Sequence, residues 1–410
     1  MRLTIERLGH RGDGIAEGVY VPRALPGEIV EGAVEGGRMA APAIVTAAPE
    51  RVTPPCPHYD DCGGCALQHA ADGFVDAWKA EVVETALAAQ GLDAPLYRSD
   101  PSPPNSRRRA TLAGRRLKKG VLVGFHARGS DTLTPIPHCR VLHPDLIAAL
   151  PALEAITAAG ASRKGELALS VTQSAAGVDV AVRGGKPLDG ALRGELGAIT
   201  RDHGLARLSW EGETVARAAE PEQHFGRAAV APPPGAFLQA TRAGEAALQD
   251  AVLRAVGDAR RIVDLYAGCG TFTLPLAERA EIHAVEGDGA MLDALNTGWR
   301  HALGLKRVTT ETRDLARDPL SAAELARFQA AVIDPPRAGA EAQAAELAAA
   351  KLPVIAAVSC NPLTFARDAR LLTGAGYRLE WVRIVDQFRW SPHVELAARL
   401  SIDHTARETA

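Results

Sequence analysis

Two short apolar runs, each ended by a polar segment that contains proline, limit the folds open to this chain. Residues 330–333 and 353–358 each have the length of a buried strand, and an alanine-rich stretch of helical character separates them. The first run leads to Asp334 beside two prolines, and the second leads to Cys360 before an Asn-Pro pair. In a parallel α/β sheet, ligands bind outside the carboxyl ends of the strands. The carboxylate and the thiol are therefore predicted to face one crevice.

From Gly235 onward, predicted strands and helices alternate, which indicates an α/β domain with a doubly wound sheet. Besides the two runs above, strands are predicted at 261–266, 281–286, 307–311, 377–386 and 394–402, and helices at 271–280 and 289–303. The last two strands are adjacent in sequence, so we predict that they form a terminal antiparallel hairpin.

The length of 410 residues predicts two or three domains. Short strands separated by glycine-rich turns predict a small β-barrel over residues 1–53. A central α+β domain is expected over 54–235, with a helix at 73–89 and a proline-rich linker at its end. The α/β domain then covers 236–410.

The composition, with 47% hydrophobic and 23% charged residues, is that of a globular protein. No apolar run reaches membrane-spanning length, and the first residues lack the pattern of a signal peptide. We therefore expect a cytoplasmic protein. The net charge of −3 does not indicate a nucleic-acid binder. Local patches would have to bind RNA, and seven cations within residues 107–119 form either such a patch or a solvated hairpin.

Four of the six cysteines have a spacing that is typical of a metal site. Cys56, Cys62 and Cys65 form a C-x5-C-x2-C cluster, and Cys139 is the spare thiol nearest in sequence. Thiols stay reduced in a cytoplasmic protein, so metal binding is favoured over disulfides. Zinc and an iron–sulfur cluster both accept four thiolates. The grouping of three cysteines with one distant cysteine favours iron–sulfur, and zinc is the alternative.

A glycine-rich turn after the first strand of the α/β domain predicts a cofactor site. The turn begins at Tyr266, and the second strand ends at Glu286, where a carboxylate can bind both hydroxyls of a ribose. Asp314 follows the third strand and is placed either at an adenine edge or simply at the surface. No pyrophosphate-binding loop is present, which favours S-adenosylmethionine over a dinucleotide.

Cys360 has two interpretations, a small buried hydrophobe or a nucleophile. Its place after the strand, within Ser-Cys-Asn-Pro, favours the nucleophile. The last predicted strand begins near His393 and Glu395, and either residue can return to the crevice as the base. The residues alone leave that choice open.

Five segments, in this order, resemble the RNA 5-methyluridine methyltransferases. They are D-L-Y-A-G-C-G-T-F-T-L-P-L-A, V-E-G-D, D-P-P-R, S-C-N-P-x-T-x-A-R-D and H-V-E. The cysteine set and the N-terminal barrel resemble the branch that carries a TRAM domain and a [4Fe–4S] cluster and acts mainly on 23S ribosomal RNA. The resemblance covers nearly the whole chain.

This resemblance implies a Rossmann-like class I methyltransferase domain that methylates uridine C5 in RNA. It implies Cys360 as the nucleophile, Glu395 as the proton acceptor and a [4Fe–4S] cluster on the four cysteines. The residues implied at the S-adenosylmethionine site are Gln239, Tyr266, Thr271, Glu286, Asp314 and Asp334.

The expected partner is RNA, most of all 23S rRNA, and a transfer RNA is the alternative substrate. We expect a monomer that binds neither DNA nor membranes. A non-catalytic iron–sulfur RNA-binding protein and a nicotinamide-dependent oxidoreductase are the rival functions.

The sequence departs from the family at three places. Ala267 replaces a usual cysteine, Thr271 replaces a common asparagine, and residues 388–392 replace the usual Phe-Pro-x-Thr segment. Thr271 is expected to weaken one cofactor contact. The change at 388–392 affects the segment nearest the target base, so it bears on target choice rather than on chemistry.

Overall fold

A computed structural model describes residues 1–402 of the chain. The last eight residues of the predicted domain 236–410 lie outside the described part. Among the described residues, no helix is long and apolar enough to cross a membrane.

The N-terminal segment forms two small antiparallel sheets. Its strands are β1 (Arg2–Thr4), β2 (Arg7–Leu8), β3 (Gly14–Ala16), β4 (Val19–Val21), β5 (Ile29–Glu31) and β6 (Ala43–Thr46). The sheets have the orders β1-β5-β6 and β2-β3-β4. Leu3, Val21 and Val30 are buried in one core that both sheets share. The strands follow the predicted pattern, and the closed barrel stays a prediction.

The central segment is organised around a seven-stranded sheet with the order β10-β9-β8-β11-β12-β13-β14. Its elements are α1 (Asp72–Ala88), β7 (Leu96–Arg98), β8 (Arg109–Arg116), β9 (Val121–His126), β10 (Leu133–Pro135), α2 (Pro144–Ala148), α3 (Leu150–Gly160), β11 (Glu166–Ser174), β12 (Gly177–Arg183), α4 (Gly190–Asp202), β13 (Arg207–Trp210), β14 (Glu213–Arg217), β15 (Gln223–Phe225) and β16 (Ala228–Val230). Helices α3 and α4 bury their apolar residues in the core of this sheet. Trp210 lies in that core, and a Cβ atom at Gly185 would lie only 1.9 Å from its ring.

The C-terminal segment contains the predicted doubly wound sheet. Its elements are α5 (Arg242–Val256), β17 (Arg261–Leu265), α6 (Thr273–Leu276), β18 (Glu281–Glu286), α7 (Gly289–His301), β19 (Val308–Thr312), α8 (Ala322–Leu325), β20 (Ala330–Ile333), α9 (Glu341–Ala350), β21 (Val354–Ser359), α10 (Pro362–Gly374), β22 (Arg378–Val385) and β23 (Glu395–Ser401). The strand order is β19-β18-β17-β20-β21-β23-β22-β7. Strands β22 and β23 pair antiparallel, which confirms the terminal hairpin.

Both faces of this sheet are covered, which explains why its strands are almost continuously apolar. Helices α5 and α7 pack on one face with Ile262, Val332 and Val358. Helices α9, α10 and α1 pack on the other face with Val263 and Ile355. Successive residues of a strand point to opposite faces, so each strand supplies both cores.

Two predicted helices are shorter in the structure. Helix α6 has only four residues, because the glycine-rich turn extends as far as Phe272. The alanine-rich helix after Asp334 has ten residues, because the two prolines and Gly339, at φ +79°, form a loop first. Proline and a left-handed glycine both disfavour a continuous helix there.

The C-terminal sheet also recruits elements from before residue 100. Strand β7 pairs in parallel with β22 at the edge of the sheet, with Tyr97 opposite Arg383. Helix α1 packs against α10. The predicted boundaries at 53 and 235 stay predictions, and these contacts cross the boundary at 235.

A buried ion pair joins α1 to the loop between β22 and β23. The Lys79 ammonium donates to Asp386 Oδ1 at 2.6 Å and to the Phe388 carbonyl at 3.1 Å. The side chains of Lys79 and Asp386 are 1% and 6% exposed. Both charges are removed from water, so each depends on the other.

We expect Lys79→Met to destabilise the protein by about 3–5 kcal/mol, because Asp386 would be left as an unpaired buried charge. The midpoint of urea denaturation measures the effect. The double variant Lys79→Met/Asp386→Asn should recover part of the loss. Arg193→Met, which breaks the exposed pair with Glu213, is the control and should cost less than about 1 kcal/mol. Equal losses of stability in Lys79→Met and Arg193→Met would contradict the role assigned to the buried pair.

Candidate active site

The ends of three neighbouring strands bring a thiol and two carboxylates to one face of the sheet. Ser359 pairs with Leu396, so continuing the antiparallel register by one residue places Cys360 opposite Glu395. Residues that face each other in this way have Cα atoms about 4.5–5.5 Å apart and side chains on the same face. Ile333 pairs with Ala357, so alternation puts Asp334 on that face as well.

Glu395 is 3% exposed and accepts a hydrogen bond from Gln387 Nε2 at 3.0 Å. Burial raises the pKa of the Glu395 carboxyl to about 7, and the Gln387 hydrogen bond acts in the opposite direction. A carboxyl with a pKa in this range can take up a proton at neutral pH.

Asp334 lies in the loop after β20, and Gln239 Nε2 donates to its Oδ2 at 3.4 Å. Burial raises the pKa of Asp334 well above its ordinary value, and the carboxylates of Glu395 and Asp264 raise it further. Ionisation of both carboxyls is therefore unfavourable here, and a positively charged ligand would favour it.

The Cys360 side chain is half-buried and is not sealed inside the core. Burial raises the pKa of the Cys360 thiol to about 11, the carboxylates of Glu395 and Asp334 add to this, and Arg337 opposes it. Asn361 fixes the loop, since its side chain accepts from the Leu363 amide and donates to the Arg337 carbonyl. The thiolate needs a compensating positive charge or a protonated neighbour to form at neutral pH.

The glycine-rich turn after β17 has the geometry of a ligand-binding turn. Tyr266, Gly268 and Gly270 all have positive φ values, of 62°, 55° and 98°. A Cβ atom at Gly270 would lie 2.9 Å from Leu274, so the close approach of the backbone there requires glycine. The Gly268 amide donates to Glu286 Oε2 at 3.0 Å, which places that carboxylate at the turn.

A cavity of about 520 Å³ lies beside Tyr266 and is bounded by Ala316, Gly339 and Arg367 among others. Burial raises the pKa of the Tyr266 phenol to about 12, and the nearby carboxylates of Asp314, Asp368 and Glu286 raise it further. Tyr266 thus lines this cavity and lies near the carboxylates of Glu286 and Asp314.

Asp314 is exposed, and its carboxylate accepts from the Ala316 amide at 3.1 Å. Thr271 is half-buried, and its carbonyl accepts from Gln249. The roles of Asp314 and Thr271 in cofactor binding stay predictions.

Two buried polar side chains of this site were not identified from the sequence. Asp264 is fully buried, accepts from Thr273 Oγ1 at 2.5 Å, and has a pKa raised by burial to about 7. Its Oδ1 atom has no hydrogen-bond partner among residues 1–402. A carboxylate inside the apolar run Arg-Ile-Val-Asp-Leu was the available signal. Gln387 had no such signal, because it occupies a loop.

His393 is exposed, and its ring contacts Phe388 edge-on with 5.7 Å between centroids. It also lines the cavity formed by the four cysteines, together with Ser391. This orientation favours Glu395 over His393 as the base beside Cys360.

The loop before β23, which contains the departures from the family pattern, is held by the N-terminal half of the chain. The Trp390 carbonyl accepts from the amides of Ala66 and Leu67, at 2.9 and 3.0 Å. Arg389 donates to the Ser102 carbonyl and pairs with Asp72. Residues 388–392 therefore pack into the rest of the protein and fix the position of Glu395.

The four predicted metal ligands line one cavity of about 270 Å³. All four are free thiols, and they are Cys56, Cys62, Cys65 and Cys139. Backbone amides donate to two of the sulfur atoms, Gly64 to Cys62 and Val141 to Cys139. Across residues 1–402, no three His, Cys, Asp or Glu side chains lie close enough to hold one metal ion. The four thiols thus line one cavity, but within residues 1–402 they are not close enough together to bind one metal ion.

The run of arginines at 107–109 is not a free RNA-binding patch. Arg108 is 2% exposed, pairs with Glu245 and donates to the Gln239 carbonyl at 3.0 Å. Arg109 donates to the Leu238 carbonyl at 3.2 Å. Arg108 and Arg109 thus hold the segment that carries Gln239. The prediction that the cations of residues 107–119 contact RNA is therefore wrong for Arg108, which is buried.

Comparisons with known proteins agree with this geometry. A model of the tRNA (uracil-5-)-methyltransferase family matches residues 234–402. A Brucella suis protein described as an uncharacterized RNA methyltransferase is 45% identical over 98% of this chain and 97% of its own length. The 23S rRNA (uracil(1939)-C(5))-methyltransferase of Halomonas elongata is 33% identical over 99% of this chain and 90% of its own length.

The fold is similar to that of the tRNA (uracil-54, C5)-methyltransferase of Pyrococcus abyssi, whose crystal structure contains S-adenosyl-L-homocysteine. The TM-score is 0.77 at 23% identity, and the match covers 98% of this chain and 99% of the other. The C-terminal sheet thus has the fold of a class I methyltransferase. The chain therefore belongs to the RNA (uracil-5-)-methyltransferase family and is an RNA methyltransferase.

Proposed function

We propose that this enzyme methylates C5 of a uridine in RNA through a covalent intermediate. Cys360 is the nucleophile and Glu395 is the proton acceptor. The observation that carries the proposal is the strand register, which puts Cys360 and Glu395 opposite each other on the same face of the sheet. A nicotinamide-dependent oxidoreductase gives this thiol–carboxyl pair no purpose.

The chemistry follows from the weak nucleophilicity of uracil C5. The Cys360 thiolate adds to C6, and the ring electrons form an enolate with negative density on C5. C5 then takes the methyl group that S-adenosylmethionine supplies when it is bound. Glu395 removes the C5 proton, the electron pair re-forms the C5–C6 double bond, and the Cys360 thiolate leaves. Atoms and charges balance, and the enzyme regains a thiolate and a protonated carboxyl.

The residues proposed to hold S-adenosylmethionine surround the glycine-rich turn and the negative crevice. Glu286 would bind the ribose hydroxyls, and Tyr266 would pack beside the nucleoside. Asp334, with Gln239, offers negative charge to the sulfonium end. The full proposed set is Gln239, Tyr266, Thr271, Glu286, Asp314 and Asp334. A positive charge beside Asp334 also favours the Cys360 thiolate, since the negative charges there hold its pKa up.

We propose 23S rRNA as the substrate, because the Halomonas relative that acts on it matches over nearly the whole length of both chains. A transfer RNA is the alternative, supported by the family description and by the fold of the Pyrococcus enzyme. The target base has to leave its stack to reach Cys360, which costs a few kcal/mol and least in a loop.

We further propose that Cys56, Cys62, Cys65 and Cys139 bind a [4Fe–4S] cluster beside a TRAM-type N-terminal domain. The fit rests on four free thiols around one cavity and on two N–H···S hydrogen bonds that suit thiolates. In such a cluster each iron would be held by one of these four thiolates. Four thiolates leave no open iron position, so its role here is structural.

Cys360→Ala should bind S-adenosylmethionine normally but transfer no methyl group, because no other group activates C5. Glu395→Gln should transfer methyl and then accumulate a protein–RNA adduct, because the C5 proton stays in place. Calorimetry measures cofactor binding, and a denaturing gel with radiolabelled methyl groups detects the adduct. Near wild-type turnover of the Cys360 variant would exclude covalent catalysis.

The substrate is tested by mapping 5-methyluridine in 23S rRNA and in tRNA from cells with and without the enzyme. Loss of a 23S rRNA site on deletion supports the ribosomal substrate. Loss confined to tRNA supports the alternative. No change in either RNA overturns the proposed function.

The thiol of Cys360 should react slowly with iodoacetamide at neutral pH and faster as the pH rises, since its pKa is raised to about 11. At about pH 9, Asp334→Asn should speed the reaction several-fold by removing a negative charge, and Arg337→Met should slow it. Mass spectrometry of the Cys360 peptide gives the rates. Changes of the same sign in both variants would contradict the electrostatic account.

Anaerobically purified protein should contain about four iron and four sulfide ions per chain and absorb broadly in the visible range. Cys139→Ser should lower the iron content and the visible absorption strongly. Cys269→Ser, at a buried cysteine outside the cavity, is the matched control and should retain both. Zinc without iron in the purified protein would contradict the cluster.

A further inference from the structure

We infer that Gln387 is a positioning residue that orients the Glu395 carboxylate and determines which of its oxygens takes the proton. The inference rests on the proposed function and deepens it. Gln387 is 2% exposed and lies at the start of the loop between β22 and β23. Its amide contacts Glu395, Gln239 and the backbone of Ala240.

The orientation of the Gln387 amide is fixed by a backbone group. The Ala240 N–H can only donate, and it lies 2.8 Å from Gln387 Oε1. The Nε2 group must therefore face the other two partners, Gln239 Oε1 at 2.6 Å and Glu395 Oε2 at 3.0 Å. In the flipped orientation, oxygen would face two acceptors and the backbone donor would lose its partner.

The same logic fixes the second amide. Gln239 Oε1 accepts from Gln387, so its Nε2 faces Asp334 Oδ2, at 3.4 Å. Two amides thus link the two carboxyls. Gln387 donates to Glu395 and to Gln239, and Gln239 donates to Asp334. Both amides are 2% exposed, so water does not compete for these hydrogen bonds.

The packing around Gln387 leaves little room for another arrangement. A Cβ atom at Gly244, near the start of α5, would lie 2.5 Å from the Gln387 Cβ. The absence of a side chain at Gly244 therefore lets α5 approach the loop. On the other side, the neighbouring Asp386 is held by Lys79.

The hydrogen bond assigns the proton to one oxygen of Glu395. Oε2 already accepts from Gln387, so the C5 proton is taken up on Oε1. A neutral amide does not pass this proton on, so it stays on Glu395 until the product leaves. Because the donor favours the ionised carboxylate, it keeps Glu395 competent as a base against the effect of burial.

Burial works against ionisation of Glu395, and Glu395 in turn raises the pKa values of two neighbouring groups. Asp334 at the end of β20 and the thiol of Cys360 after β21 face it, and Asp264 of β17 lies behind Asp334. Of the nearby cations, Arg108 pairs with Glu245 of α5 and Lys79 pairs with Asp386 after β22, while Arg337 lowers the pKa of the Cys360 thiol. Within residues 1–402, the Glu395 side chain accepts its hydrogen bond from Gln387.

Gln387→Met keeps the length of the side chain and removes its donor. A hydrogen bond to a charged group contributes a factor of about ten to a hundred, so removal of the C5 proton should slow by that factor at neutral pH. Its pH profile should move to higher pH, because a carboxylate that loses a donor has a raised pKa. Gln387→Glu has the same shape and adds a negative charge, so its shift should be larger.

The measurement uses a 23S rRNA transcript made with uridine tritiated at C5. In a single turnover, methyl incorporation reports attack by C5, and tritium release reports removal of its proton. In wild-type enzyme the two should coincide. In both Gln387 variants, methyl incorporation should precede tritium release, and a methylated adduct should accumulate at low pH and decay when the pH is raised.

Tyr377→Phe is the control, since the buried Tyr377 hydroxyl donates to the Leu352 carbonyl and lies beside Arg378, at the opposite end of the β22–β23 hairpin from Glu395. It should lower stability without changing the pH profile. If the Met variant of Gln387 does not fold, the isosteric Glu variant decides. Folded Gln387 variants with the wild-type pH profile and no adduct would overturn the inference alone. Wild-type enzyme that releases no tritium from uridine C5 would instead overturn the proposed function.

Discussion

The burial of Glu395 at the start of β23 is the constraint on which the rest of the site depends. Removing this carboxyl from water brings its pKa to about 7, and Glu395 in turn raises the pKa values of Asp334 and Cys360, so their ionised forms repel one another. Such a cluster is costly in the absence of a cation, because like charges in a poorly solvated site repel each other. The arrangement is understandable if a cationic methyl donor completes it. Stability and activity therefore compete within the same few side chains.

The position of Glu395 is set by groups that lie far away in sequence. The loop that leads to it is held by Lys79, by the amides of Ala66 and Leu67, and by Arg389 through Ser102 and Asp72. Ala66 directly follows the ligand candidate Cys65, and Ser391 and His393 line the cysteine cavity. The loop between β22 and β23 therefore contacts the cysteine-rich segment and leads directly to Glu395. This explains how the cysteine-rich segment can affect the position of Glu395.

Local sequence was sufficient for the elements whose signal is local. Apolar runs ended by proline or glycine located the strands at 330–333, 281–286 and 354–359 within a residue or so, and the hairpin of β22 and β23 followed from adjacency. Features that depend on distant partners were not accessible. Strand β7 is only three residues long, and its hydrogen-bonding partner is the distant strand β22. The sequence around Arg108 is typical of surface cations, but in the structure Arg108 contacts Glu245 and the Gln239 carbonyl. Gln387 carries no sequence signal, because its function depends on three partners that folding brings together.

The edge position of β7 has a consequence for biosynthesis. Tyr97 pairs with Arg383, so about 280 residues are translated between the two strands. At roughly 5–20 residues per second this takes about 15–60 s. During that interval β7 and the apolar side of α1 have no sheet to join, and both are candidates for chaperone binding on the ribosome. The C-terminal sheet therefore gains its edge strand only after β22 has been made, about 280 residues after β7.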